Sequence, residues 1–182
     1  MYYLGVDVGI KNMSYCLYHD RILKWECFDI GGCNLTSLVR AFDARQVDCS
    51  PLTIIIEKQP HRNFAMKRLE HYLECYFTMR YTDAKVCVMH AKCKLNEPGM
   101  KGKRNYAARK KLGVERALKY IEANEAEDIK SIFKKAKKKD DLADTLLLIL
   151  SYLDRPTPRP ERPQRGLKEK MLLMLNKNIA LL

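Results

Sequence analysis

Two hydrophobic periods divide this chain. Near its start, short apolar runs rich in β-branched and aromatic residues follow one another closely. Residues 2–8 (YYLGVDV) read as a strand, Gly9 allows a turn, and MSYCLYH (13–19) resumes as a second strand. A short turn at Asp20-Arg21 leads into a third, ILKWECFDI (22–30). Three such runs with tight connections predict an antiparallel meander. Thr53 to Ile56 is a compact apolar run of the kind found in buried central strands, and KVCVMHA (85–91) predicts a fifth strand. Elsewhere the period is helical. Leu35 to Gln46 predicts a short helix, and residues 62–81 a long one, with Phe64, Leu69, Tyr72, Leu73, Tyr76 and Phe77 at helical spacing. A second long helix is predicted over 106–123, with Leu112, Leu118 and Ile121 inward, and a third over 141–154. Residues 92–104 read as a basic loop and 124–139 as a charged connector.

This order predicts an α/β fold, a five-stranded mixed sheet flanked by helices. Three strands are antiparallel, and strands four and five run parallel to strand one through crossover helices. At 182 residues one compact domain is expected, here over 1–154. Residues 155–166 (RPTPRPERPQRG) cannot continue a helix and read as an extended linker. Residues 167–182 read as a C-terminal amphipathic helix.

Charge changes this picture by adding a polarity to the chain. The net charge is +12, and residues 1–91 are nearly balanced, with 11 basic and 10 acidic side chains. Residues 92–182 carry 23 basic and 12 acidic ones. Such asymmetry points to nucleic acid or an anionic surface as partner. The seven cysteines (16, 27, 33, 49, 75, 87 and 93) contain no C-x-x-C pair, which argues against zinc and for free thiols in a reducing, intracellular compartment. The start lacks the basic region of a signal peptide. The longest unbroken apolar run, Leu146 to Leu150, is too short to span a bilayer, so no membrane partner is expected.

The candidate chemistry lies in four acids: Asp7 in LGVDVGIKN, Glu57 in TIIIEKQP, and Asp141 and Asp144 in KKDDLADTLLLIL. Carboxylates beside so much apolar sequence are costly unless something pairs with them. A divalent metal is the natural partner, and paired magnesium ions are a common device for phosphodiester hydrolysis. Strand alternation puts Asp7 on the face of Gly5 and Gly9, which we expect to leave room for metal and phosphate. Glu57 closes a central strand, at the sheet edge where ligands collect in α/β folds. Asp141 and Asp144, at i and i+3, project from one face of a helix start. Singly, each acid has an ordinary explanation as a turn residue, a solvent-facing strand end or an N-cap. Together, in this order, they form a specific pattern.

The pattern over residues 1–154 resembles the RuvC-type Holliday junction resolvases of the ribonuclease H-like superfamily. GVDVGIKNMSYCL, IIIEKQ and KKDDLADTLLL are most similar to the resolvases of poxviruses and other large DNA viruses, and the yeast mitochondrial cruciform-cutting endonuclease is a second relative in style. The resemblance implies that Asp7, Glu57, Asp141 and Asp144 are the catalytic metal ligands, Asp141 rather than Asp140 because D-x-x-D matches the family spacing. It implies two Mg²⁺ ions per site, replaceable by Mn²⁺, and a homodimer that nicks opposed strands of a four-way junction to leave 5′-phosphates. If the chain is viral, it implies cytoplasmic replication sites. One departure is Pro60, which stands three residues after Glu57 where the bacterial enzyme has an aromatic wedge; His61 or Phe64 could substitute.

Contacts to DNA are expected from Lys11 and Asn12 beside Asp7, from Lys101, Lys103, Arg104, Arg109, Lys110 and Lys111, and from Lys138 and Lys139. The dimer interface is expected on the 62–81 helix, with Phe64, Leu69, Leu73 and Phe77 toward the sheet and Tyr72, Tyr76 and Met79 left over for a partner. Alternatives are a ribonuclease H acting on RNA–DNA hybrids, a catalytically dead junction binder, and an actin- or sugar-kinase-like ATPase. The ATPase needs a second phosphate loop and a glycine-rich adenosine motif, both missing here, so no nucleotide cofactor is expected.

Overall fold

The computed structural model describes residues 1–47, 49–50, 52–90 and 106–155. Strands β1 (Tyr2–Asp7), β2 (Met13–His19) and β3 (Arg21–Phe28) form the meander. Asp20 alone makes the β2–β3 turn, at φ 58°, a left-handed conformation that Asp tolerates better than most side chains. Helix α1 (Leu35–Asp43) leads to β4 (Leu52–Lys58), α2 (Phe64–Arg80) and β5 (Lys85–His90). Helices α3 (Tyr106–Asn124), α4 (Glu127–Lys135) and α5 (Lys139–Leu153) complete the described chain. The strand order is β3-β2-β1-β4-β5, antiparallel across the first three and parallel from β1 through β4 to β5, as the sequence predicts.

Alternation divides the core into two layers. Leu4, Val6, Tyr15, Leu17, Ile54 and Ile56 meet α1 and α2 on one face. Cys16, Tyr18, Trp25, Ile55 and Met89 meet α3, α4 and α5 on the other. Helix α5 is apolar nearly all round, because it packs on the sheet with one side and on α3 with another. The buried stripe of α3 is Gly113, Ala117 and Ile121 rather than Leu112, Leu118 and Ile121. Gly113 and Ala117 leave that part of the seam to the side chains of α5, Leu147 Cδ1 standing 3.7 Å from where a Gly113 Cβ would be, whereas helical periodicity picks out the large residues.

Three further expectations change. The 124–139 connector contains α4, anchored only by Ile129 and Phe133. Its signal was charge placement, with Glu127 and Asp128 in the first turn and Lys134 and Lys135 in the last, which complements the helix dipole. Phe64, expected in the core, is 83% exposed, while Tyr76, expected at an interface, is buried and donates to Asp43 Oδ1 at 2.7 Å. The 92–104 loop, the 155–166 linker beyond Arg155 and the 167–182 helix lie outside the described residues. Among the described residues, no helix is long and apolar enough to cross a membrane.

Candidate metal centre and nucleic-acid interface

Strand register builds the site. Val6 of β1 lies beside Ile56 of β4, so Asp7 and Glu57 end adjacent parallel strands one step further on. Asp7 pairs with Ser14, Ser14 with Cys27, and Glu57 with Met89. These five residues form one cross-strand row, on the face that carries α5.

Helix α5 supplies the third acid. The space a Cβ would fill at Gly5 is taken by the helix itself, with Thr145 O at 2.5 Å and Ile149 Cγ1 at 2.9 Å. Any larger residue would push α5 off β1. Trp25 Nε1 pins the helix start by donating to Leu142 O at 3.1 Å and Thr145 Oγ1 at 2.9 Å. Carboxylate oxygens of Asp7, Glu57 and Asp144 consequently lie within 4.8 Å of one another. The glycines therefore do not leave room for metal and phosphate, as the sequence suggested. Gly5 admits a helix, and Gly9 admits Asn12 O, 2.5 Å from where its Cβ would stand.

Asp141 stands nearly one turn before Asp144, outside this trio. Lys110 of α3 forms an ion pair with Asp140 and lies 3.8 Å from Asp141 Oδ1. Burial tends to raise the Asp140 carboxyl, but the Lys110 ammonium outweighs it and holds the group below its usual range. Burial lifts Asp141 above its usual range, and the Asp140 charge adds to the lift. Lys110 is itself held protonated by Asp140 and Tyr106 against the opposing effect of burial.

Three carboxylates this close repel one another unless a cation lies among them. Their hard oxygen donors suit Mg²⁺, Mn²⁺ or Ca²⁺ and not a thiophilic metal. The residues present therefore fit a divalent hard cation. Ser14, which sequence reasoning passed over, is fully buried opposite Asp7, and the Cys27 thiol is the neighbour beside its Oγ. Its only signal was a hydroxyl in an otherwise apolar strand.

The basic residues meet the site from two sides of the α4–α5 link. One groove is lined by Lys110, Lys111, Lys137 and Lys139 together with Asp140 and Glu115. The other is lined by Lys11, Asn12, Lys135, Lys137 and Lys138, with Trp25, Cys27 and Asp29 opposite. Arg109 is half-buried on α3 beside Lys110. Lys101, Lys103 and Arg104 lie outside the described residues.

Known proteins share this fold. The fowlpox virus resolvase, solved with substrate Holliday junction DNA, superposes with a TM-score of 0.64 at 24% identity, over 84% of this chain and 97% of that one. RuvC of Thermus thermophilus superposes with a TM-score of 0.50 at 12% identity, over 84% and 95%. These likenesses show the fold to be that of the RuvC-type, ribonuclease H-like resolvases. Uncharacterized protein 97L of Invertebrate iridescent virus 3 is 31% identical over 100 residues, 55% of this chain, which spans about half the length of that relative at 47%. The sequence profile described as Poxvirus A22 protein matches residues 1–155, strand β1 through the end of α5 and so every acid of the site. The chain belongs to the Poxvirus A22 protein family.

Proposed function

We propose that this chain is a divalent-metal-dependent endonuclease that resolves four-way DNA junctions by paired nicks as a homodimer. The observation that carries the reading is the convergence of Asp7, Glu57 and Asp144 within 4.8 Å at the carboxyl edge of β1 and β4, between lysine-lined grooves. Family membership and the fold shared with resolvases support it.

Asp7, Glu57 and Asp144 would hold one ion, and Asp141 with Asp144 a second. When bound, two Mg²⁺ ions would supply a water of lowered pKa and stabilise charge on the leaving 3′ oxygen, so that the nick carries a 5′-phosphate. Mn²⁺ fits the same donors. Lys110 pairs with Asp140 and lies 3.8 Å from Asp141 Oδ1. Lys11, Arg109, Lys111, Lys138 and Lys139 would neutralise the phosphates on either side and the Asn12 amide would donate to one, and we extend the neutralising role to Lys101, Lys103 and Arg104. Two scissile strands related by a twofold axis need two sites, which a symmetric dimer supplies. The family relation points to viral DNA replication in the cytoplasm as the setting.

A labelled four-way junction, a matched linear duplex and an RNA–DNA hybrid, each incubated with protein and Mg²⁺, decide the matter. Symmetric, ligatable nicks in the junction alone are the expected result. Cleavage of the hybrid with the junction left intact would replace this reading with a ribonuclease H.

A further inference from the structure

We infer that Glu70 is a positioning residue for the nuclease site, fixing the backbone that leaves Glu57; the inference rests on the function proposed above. Glu70 lies inside α2 and is 1% exposed, although carboxylates are rarely buried without partners. It has two. Lys67 Nζ, one turn earlier, is 2.5 Å from Oε1, and the backbone N–H of Gln59 donates to Oε2 at 2.5 Å. Gln59 in turn donates its side-chain amide to Glu57 O at 3.2 Å.

The position of Gln59 makes this more than a buried ion pair. Among the described residues the β4–β5 ladder runs to Lys58 and His90, and the N–H of Gln59, the next residue, donates to the Glu70 side chain. Glu70 accepts that N–H and so extends the order of β4 past Glu57. The chain then turns, Asn63 N donating to Pro60 O at 3.0 Å, and Asn63 Oδ1 caps α2 at Met66 N. Phe64 starts the helix fully in the open. Lys67, Glu70, Gln59 and Glu57 therefore join the interior of a helix to a candidate metal ligand.

Stability alone does not explain the arrangement. A buried ion pair is often matched or bettered by apolar residues of similar volume. What an apolar residue cannot supply is an acceptor for Gln59 N–H. Losing it would free the end of β4, and a misplacement of about 1 Å at a reacting centre can cost about 100-fold in rate.

Two double variants of the full chain separate the acceptor from the charge. Lys67→Met with Glu70→Gln keeps an acceptor without the ion pair, and Lys67→Met with Glu70→Leu removes both. Each is assayed for single-turnover junction cleavage in Mg²⁺, Mn²⁺ affinity by calorimetry, junction affinity in Ca²⁺ and unfolding temperature. The Leu pair should cut at least about 10-fold more slowly and bind Mn²⁺ more weakly than the Gln pair, the cost usual for supporting ligands of a metal site. Junction affinity should be equal, and the Leu pair should unfold at a somewhat lower temperature, as the loss of one acceptor requires, while remaining folded at the assay temperature. Equal cleavage and equal Mn²⁺ affinity in the two would overturn the proposal. Should the Leu pair not fold, Glu70→Met in the same background puts the same question. If the wild-type protein cuts no junction, the proposed function fails, and the Mn²⁺ titration still decides the role of Glu70.

Discussion

At the scale of single residues, Asp7, Glu57 and Asp144 lie close enough together to share one ion, and Asp141 stands outside that trio. Removing charge from a metal ligand forfeits several kcal/mol of stabilisation, so Asp7→Asn, Glu57→Gln and Asp144→Asn should each slow junction cleavage at least ~100-fold. Binding to the junction in Ca²⁺ should survive, because the lysines are untouched. Full activity in any of the three would remove that residue from the site. Asp141→Asn is expected to lower activity as well, and a smaller loss than in the trio would fit its place beside Lys110. A second residue-scale prediction concerns Glu125, which is buried and accepts Ile22 N–H at 3.0 Å. Burial raises its carboxyl above the ordinary value of 4.5, partly offset by that bond and by Arg21. Its protonated form is therefore favoured by folding. The stabilisation is complete below the ordinary value and is lost as pH rises through the raised one. Glu125→Gln keeps the acceptor and never ionises, so it should melt above wild type at pH 7, with the gap closing below pH 4.5. Thermal denaturation across that range checks the sign. Residues 7, 57 and 144 could be picked out from sequence because acids are conspicuous beside isoleucine and leucine. Ser14 and Glu70 could not, because burial of a polar side chain is invisible until its neighbours are known.

At the scale of elements, the decisive packing is that of α5 on β1. Gly5 has no side chain, and the Thr145 carbonyl sits where one would be. Gly5→Ala should therefore destabilise by about 1–3 kcal/mol through overpacking. It should also weaken Mn²⁺ binding, since Asp144 rides on the displaced helix. Unchanged affinity in a destabilised protein would mean that the helix yields elsewhere. The head of α2 presents Phe64 to solvent four residues after Pro60, where a large apolar residue gains nothing from the core. In the role of wedge, Phe64→Ala should reduce discrimination between junction and duplex while leaving the melting temperature nearly unchanged. Sequence periodicity located all five strands and four of the five described helices. It missed α4, whose two apolar anchors are too few to show a period, and it exchanged Phe64 with Tyr76. One face of α2 packs on the sheet, but the rotation of a helix with aromatics on several sides is set by what it meets.

At the scale of the whole molecule, charge and symmetry govern what the protein binds. Junction affinity should fall steeply with salt as counterions are released from phosphates. Neutralising Lys110, Lys111, Lys137 and Lys138 together should flatten the slope by about one unit for each phosphate these lysines had neutralised. An unchanged slope would place the DNA elsewhere. The proposed dimer would use the open face of α2, where Met79 is 66% exposed and Tyr72 half-buried. Charged residues at 72 and 79 should yield folded monomers that nick once without resolving, as sedimentation and gel assays would show, whereas a charge at Tyr76 should unfold the protein. By itself, the sequence determined the alternation of strand and helix, hence the parallel and antiparallel halves of the sheet, the basic second half and the identity of the acids. Those follow from local period and composition, which each short segment carries within itself. Only the tertiary structure decided that three acids rather than four meet within one ion's reach, that glycine serves a helix rather than a ligand, and that Glu70 completes the end of β4. These depend on distances between segments far apart in the chain, and such distances are set by packing of the two layers against the sheet.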